Sequence, residues 1–113
     1  MENIFNKIIN KEIKADIVFE NDKVIAFKDI NPAAPIHLLI IPKKNIKTIN
    51  DIQENDKELI GELFLAAKKI AKDYNIDKNG YRLIFNCNAD AGQTVFHIHM
   101  HLLAGRKLSW PPG

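Results

Sequence analysis

One cysteine, Cys87, is all that this 113-residue chain carries, so no intrachain disulfide framework can be built. Long apolar runs are missing too. None approaches the roughly 18 residues that cross a bilayer, and no membrane partner is expected. Excess charge is small, at +2. Lysines are spread along the chain, with local pairs only at Lys43-Lys44 and Lys68-Lys69. Nucleic-acid binding needs a clustered basic face, so no nucleic-acid partner is expected. Internal repeats and low-complexity segments are absent. Met1-Glu2-Asn3-Ile4-Phe5 lacks the charged and then apolar layout of a secretory signal. These absences point to a soluble, cytoplasmic protein. The length suits one domain, residues 1–113, with a real core of its own.

Histidine is also scarce, and its placement is the most informative thing present. Of four histidines, three fall in His97-Ile98-His99-Met100-His101-Leu102-Leu103. Side chains on a strand alternate between faces. His97, His99 and His101 then share one face, and Ile98, Met100 and Leu102 the other. Three groups able to act as nucleophile, base or donor near neutral pH meet on one rigid element.

The remaining pattern predicts an α+β domain. Ile4, Phe5, Ile8 and Ile9 sit at helical spacing within Asn3–Ile9. Residues 15–20 and 23–29 read as a strand pair around the turn Asn21-Asp22. Asn31-Pro32-Ala33-Ala34-Pro35 is a rigid loop, because each proline restricts its predecessor. Residues 36–41 form a buried strand stopped by Pro42. Residues 55–74 carry an apolar stripe of Leu59, Ile60, Leu63, Phe64, Ala67, Ile70, Ala71 and Tyr74, with Asn55 and Glu58 as a capping box. Residues 81–87 and 95–103 are further strands. Short connections favour antiparallel pairing. The expected fold is a five-stranded antiparallel sheet with one short and one long helix on one side, leaving one sheet face to the histidines.

Three uses of that face are open on the residues alone. Two histidines at this spacing suit a metal pair, although a third along the same strand is poorly aimed at one tetrahedral centre. A polar face of satisfied histidines is the plainest alternative. Chemistry on an anionic substrate is the third. The loop Asn86–Thr94 precedes the histidines. Gly92 permits close backbone approach, and the N–H groups of Gly92, Gln93 and Thr94 offer an anion nest.

The heptad His97–Leu103 resembles the histidine-triad signature, His-x-His-x-His followed by two apolar residues. Phe27-Lys28-Asp29-Ile30-Asn31-Pro32, Pro35-Ile36-His37, Ile41-Pro42-Lys43-Lys44, Gly92-Gln93-Thr94, Gly105-Arg106 and Trp110-Pro111-Pro112-Gly113 resemble the Hint branch of that superfamily. The resemblance covers essentially the whole chain. It implies a homodimer whose two sheets join, and a purine mononucleotide site (AMP or GMP) in each protomer. It implies hydrolysis of nucleoside phosphoramidates or aminoacyl-nucleotides, with no metal and no cofactor.

Residue by residue, the resemblance makes His99 the nucleophile on the α-phosphorus, through a nucleotidyl-histidine intermediate. The free nitrogen of that imidazole requires its other nitrogen to donate to a carbonyl. His101 binds a phosphate oxygen, and His97 and His37 orient the site. Thr94 stands where the branch usually has Ser, at the phosphate or leaving group. Ala91 stands in place of a loop Gly. Asp29 accepts from the ribose hydroxyls, Ile30 flanks the base, and Asn86 and Gln93 are polar contacts. Phe5, Ile8, Phe27 and Leu39 wall the base. Trp110 reaches the partner's site. A nucleotide-binding scaffold with little turnover and a dinucleoside polyphosphate hydrolase of a sister branch are the alternatives. The Trp110–Gly113 segment favours Hint over the latter.

Overall fold

Pro42 determines where the histidine strand begins. A computed structural model describes residues 3–113. Its elements in chain order are α1 (Ile4–Ile9), β1 (Ile17–Glu20), β2 (Val24–Lys28), β3 (Ile36–Pro42), α2 (Lys57–Asp73), β4 (Arg82–Phe85) and β5 (Met100–Ala104). The five strands form one antiparallel sheet in the order β1-β2-β3-β5-β4. This is the expected architecture.

The strand expected over residues 95–103 starts only at Met100. The β3–β5 ladder runs from Ile36 opposite Ala104 to Ile40 opposite Met100. Continuing it would set Ile98 against Pro42, which has no N–H to give. The Ile98 N–H bonds to the Ile46 carbonyl instead, at 2.7 Å. His97 and His99 therefore stand on irregular backbone, and only His101 lies within β5. The alternation of faces survives nonetheless. Ile98, Met100 and Leu102 all enter the core on the α2 side.

That core is built from alternating strand positions. Val24, Ala26, Leu38 and Ile40 point one way and meet Leu63, Ala66, Ala67, Ile70 and Ala71 of α2. Phe64, expected within the stripe, is 48% exposed and lies beside Phe85 of the edge strand β4, ring centroids 6.3 Å apart. The expected Asn55 cap is replaced. Residues 54–56 form a 3₁₀ turn, and the Asp56 carboxylate accepts from the Gln53 N–H at 2.8 Å and from Lys44 Nζ at 2.6 Å. The Lys44 bond holds that carboxyl below its usual range.

The two helices are not on one side. Ile25, Phe27, Leu39 and Ile41, the opposite alternation, pack on Phe5 and Ile8 of α1. Six residues are too few for a self-supporting helix. Reciprocal bonds between Asn3 and Asn6, 2.9 and 3.0 Å, cap it, and the burial of Phe5 and Ile8 docks it. Thus α1 shares the face that the histidines occupy.

Candidate active site

Hydrogen bonds to backbone set the role of one ring nitrogen in three of the imidazoles, and the fourth follows from its neighbour. A carbonyl only accepts, so a ring nitrogen facing one must carry hydrogen. His97 Nε2 lies 2.6 Å from the Pro42 carbonyl and therefore donates. His99 Nδ1 lies 2.8 Å from the His97 carbonyl and donates. This is a carbonyl of the kind a nucleophilic imidazole needs. With Nδ1 donating, the neutral form of His99 carries its lone pair on Nε2. The converse logic applies to His37. The Ala33 N–H donates to its Nδ1 at 2.9 Å, so the His37 proton resides on Nε2. His37 Nε2 is 2.9 Å from His101 Nδ1, and the donated proton leaves His101 with hydrogen on Nε2.

The result is a complementary pair. His99 presents an electron pair and His101 an N–H donor, with ring centroids 5.1 Å apart. Phe5 packs edge-on against His99 at 5.1 Å and against His97 at 5.9 Å, fixing the rings from the α1 side. Burial pushes the His101 imidazole down from 6.5 to about 4, helped by the nearby His99 and His37. Burial likewise lowers His37, against the pull of Asp29. It also lowers His97, against the Pro42 carbonyl. Each of these three rings is neutral at pH 7, as the proton assignment requires. His97 Nδ1 is buried with no hydrogen-bond partner among the described residues.

The loop that carries Ala33 is pinned from the far end of β5. Gly105 has φ +95°, and a Cβ there would stand 2.8 Å from Pro35 Cβ. Arg106 Nη2 donates to the Ala33 carbonyl at 2.9 Å. Gly105-Arg106 thus seats the residue whose N–H fixes the His37 tautomer.

Asp29 follows β2. Its Oδ1 accepts from the Asn31 N–H at 2.8 Å, and its Oδ2 lies 3.3 Å from His37 Nε2. Asp29, His37 and His101 have ligand atoms within 4.8 Å of one another, a spacing open to a divalent cation. The hydrogen bonds work against that use. A metal on His37 Nε2 would need the proton on Nδ1, where the Ala33 N–H already points. Ile30 beside Asp29 is 89% exposed.

The other expected residues divide. Phe5, Ile8, Phe27 and Leu39 come together as a closed apolar cluster under the histidine face, and Leu39 sits opposite His101 in the ladder. Gly92 adopts φ 85°. The anticipated nest is not free, however. The Gly92 and Gln93 N–H groups bond within the loop to the Ala89 and Asn88 carbonyls, at 2.9 and 3.1 Å. The 3₁₀ turn Ala89–Ala91 makes that bonding possible, and Ala91 sits in it without needing glycine's freedom. The Gln93 side chain is buried and braces three backbone groups, at Asn88, Lys47 and Val95. Thr94 is exposed and lines a hollow with Asn3, Ile4, Asn45, Lys47, Val95 and Phe96. Asn86 lies half-buried just beyond β4. Trp110 is 80% exposed, with the Arg82 guanidinium 5.9 Å from its ring centre. Side-chain patterns missed the Ala33 amide and the Pro42 and His97 carbonyls.

Comparison with known proteins agrees with this fold. A family model described as "HIT domain" matches residues 10–108. The purine nucleoside phosphoramidase of Escherichia coli K12 is 51% identical over 107 residues, 95% of this chain and 90% of that protein. A crystal structure of a HIT family hydrolase from Legionella pneumophila superposes with TM-score 0.97 at 52% identity, covering 99% of this chain and 100% of the other. A histidine triad nucleotide-binding protein from Candida albicans superposes with TM-score 0.82 at 32% identity, covering 96% and 82%.

Proposed function

Since the chain belongs to the HIT family, we propose that it is a hydrolase that binds a purine mononucleotide and cleaves nucleoside 5′-phosphoramidates and aminoacyl-nucleotides to the nucleoside monophosphate. One observation carries this reading: the opposed tautomers of His99 and His101. An electron pair beside a donor is what displacement at a phosphorus with anionic oxygens requires.

In the first step His99 Nε2 attacks the α-phosphorus and the P–N bond breaks. The departing nitrogen takes a proton from solvent and leaves as the free amine. The His101 Nε2–H bonds a phosphate oxygen and opposes the charge that gathers there. In the second step water attacks the phosphorus, the P–Nε2 bond breaks and returns its electron pair to His99, and the water's proton passes to solvent. The His97 carbonyl supports the positive imidazole of the intermediate through Nδ1–H. Asp29 takes the ribose hydroxyls, with Ile30 at the base. Asn86, Gly92 and Gln93 shape the phosphate end, and Thr94 meets the leaving group.

The same reading includes a homodimer joined edge to edge through β4. Support comes from the sheet order, which among the described residues leaves β4 with an unpaired side, and from the exposed Phe64, whose ring lies beside Phe85 of β4. An exposed strand edge flanked by large apolar groups is a surface that proteins normally cover. Trp110 then reaches the partner's site. A cytoplasmic location belongs to the same proposal.

The test is incubation of purified chain with adenosine 5′-phosphoramidate. Release of adenosine monophosphate, with a trapped nucleotide adduct on His99, is the expected result. Tight binding of the monophosphate without turnover would replace the hydrolase with a binding scaffold.

A further inference from the structure

The His37 Nε2 proton has two acceptors within reach. His101 Nδ1 is hydrogen-bonded to it at 2.9 Å, and Asp29 Oδ2 lies 3.3 Å from the same nitrogen, off the line of the N–H. We infer that these two groups compete for that one proton, so that a ligand whose vicinal hydroxyls occupy Asp29 fixes His101 as a donor to the phosphate. His37 and Asp29 are then positioning residues that tie recognition of the sugar to the rate of the chemistry. The inference rests on the nucleotide reading given above.

The competition follows from the count of hydrogens. The Ala33 N–H occupies His37 Nδ1, so His37 has a single proton to offer, on Nε2. Given to His101 Nδ1, it forces the His101 hydrogen onto Nε2, where a phosphate oxygen can receive it. Given to Asp29, it releases His101 from that constraint. His101 can then carry its hydrogen on Nδ1 and turn a lone pair toward the phosphate. Electron pair against anionic oxygen is repulsive, and catalysis stalls in that tautomer. A carboxylate attracts N–H groups more strongly than a neutral nitrogen does, so a turn of the His37 ring that lines its N–H up with Oδ2 brings Asp29 into the contest.

The surroundings suit a gate of this kind. Asp29 Oδ1 is held by the Asn31 N–H at 2.8 Å, which fixes the carboxylate with Oδ2 toward His37. His37 is buried, while the Asp29 side chain stays partly open to a ligand. Hydroxyls donating into Oδ2 satisfy its lone pairs and weaken its hold on the imidazole. His37 then turns wholly to His101. A sugar without those hydroxyls leaves the proton divided.

The kinetic test uses adenosine 5′-phosphoramidate, its 2′,3′-dideoxy analogue, the parent chain and Asp29→Asn. In the parent, removing the hydroxyls should lower kcat by about tenfold, in addition to raising KM. In Asp29→Asn the amide nitrogen faces His37 and cannot accept its proton. That variant should process the dideoxy substrate faster than the parent does. A residue that merely binds the sugar predicts the opposite, a variant no faster on either substrate.

The spectroscopic test needs no variant. Nitrogen-15 spectra of the histidine rings should show His101 fully hydrogenated at Nε2 with adenosine monophosphate, and divided with 2′,3′-dideoxyadenosine monophosphate. Identical His101 spectra in the two complexes overturn the coupling, as does a parent whose KM responds to the hydroxyls while kcat does not. Both outcomes leave the hydrolase reading intact. A chain that turns over neither substrate but shows the tautomer change retains the coupling and loses the hydrolase. Failure to bind the monophosphate removes both.

Discussion

The two faces of the sheet are made on different principles. On the α2 face, Val24, Ala26, Leu38, Ile40, Met100, Leu102 and Ala104 meet apolar partners, and burial is its own justification. On the other face, four imidazoles stand among Phe5, Phe27 and Leu39, each with a ring nitrogen aimed at a particular backbone group or neighbouring ring. The first face is specified by volume. The second is specified by where protons sit. Damage to the first should appear as lost stability, and damage to the second as lost chemistry.

The sharpest break in that contrast is expected from His99→Ala. It removes the proposed nucleophile and should lower turnover of a phosphoramidate by at least about 10³-fold, roughly 4 kcal/mol of activation free energy. The melting temperature should move far less than the rate suggests. A residual rate within a few-fold of the parent would end the assignment of His99. Leu63→Ala is the mirror experiment. Leu63 is fully buried against the sheet, and its truncation should cost about 2–5 kcal/mol in denaturant unfolding. Its kcat per folded molecule should stay close to the parent value. A large loss of kcat there would mean that the two faces communicate.

Legibility divides along the same line. The α2 face was readable because helical and strand periods leave a trace in side chains: Leu63, Ala67, Ile70 and Ala71 recur at the right spacing. Phe64 broke the pattern because an edge strand, not the core, lies beneath it. The strand alternation assigned His97, His99 and His101 to one face but overstated the ladder, since Pro42 ends it. The four histidines were visible as residues, His37 only through resemblance to a family. Their tautomers were not visible. The Ala33 amide and the Pro42 and His97 carbonyls are groups that almost any residue supplies, so no side-chain pattern announces them. Nor does the sequence announce that Gly92 and Gln93 spend their N–H groups inside their own loop.

Acid should separate the faces next. In the unfolded chain each histidine protonates near 6.5. In the folded chain His101 does so only at about 4, and His37 and His97 are shifted in the same direction by burial. Below pH 6.5 the unfolded state therefore binds more protons, and stability falls as pH drops from 6.5 toward 4. Glu20, lowered by Lys11 and Lys43, and Asp56, lowered by Lys44, add a separate loss beneath their own ordinary values of 4.5 and 3.8. Denaturant titrations at intervals across this range should show the upper limb shrink in His101→Gln. Leu63→Ala should displace the whole curve without changing its shape. An unchanged upper limb in His101→Gln would contradict the burial argument.

The smallest effect tests the loop that leads into the histidines, where geometry matters less than a single hydroxyl. Thr94 is exposed and borders the hollow that contains Lys47 and Phe96. Its methyl group stiffens χ1, and its oxygen is the group that chemistry could use. Thr94→Ser keeps the oxygen and frees the rotamer, so kcat/KM should stay within about threefold of the parent. Thr94→Val keeps the shape and removes the oxygen, and should cost about tenfold, near 1.4 kcal/mol. If the hydroxyl meets the leaving group, the valine penalty should vary with the leaving group offered. Equal penalties for a small amine and a bulky one would move Thr94 from the leaving group to the phosphate.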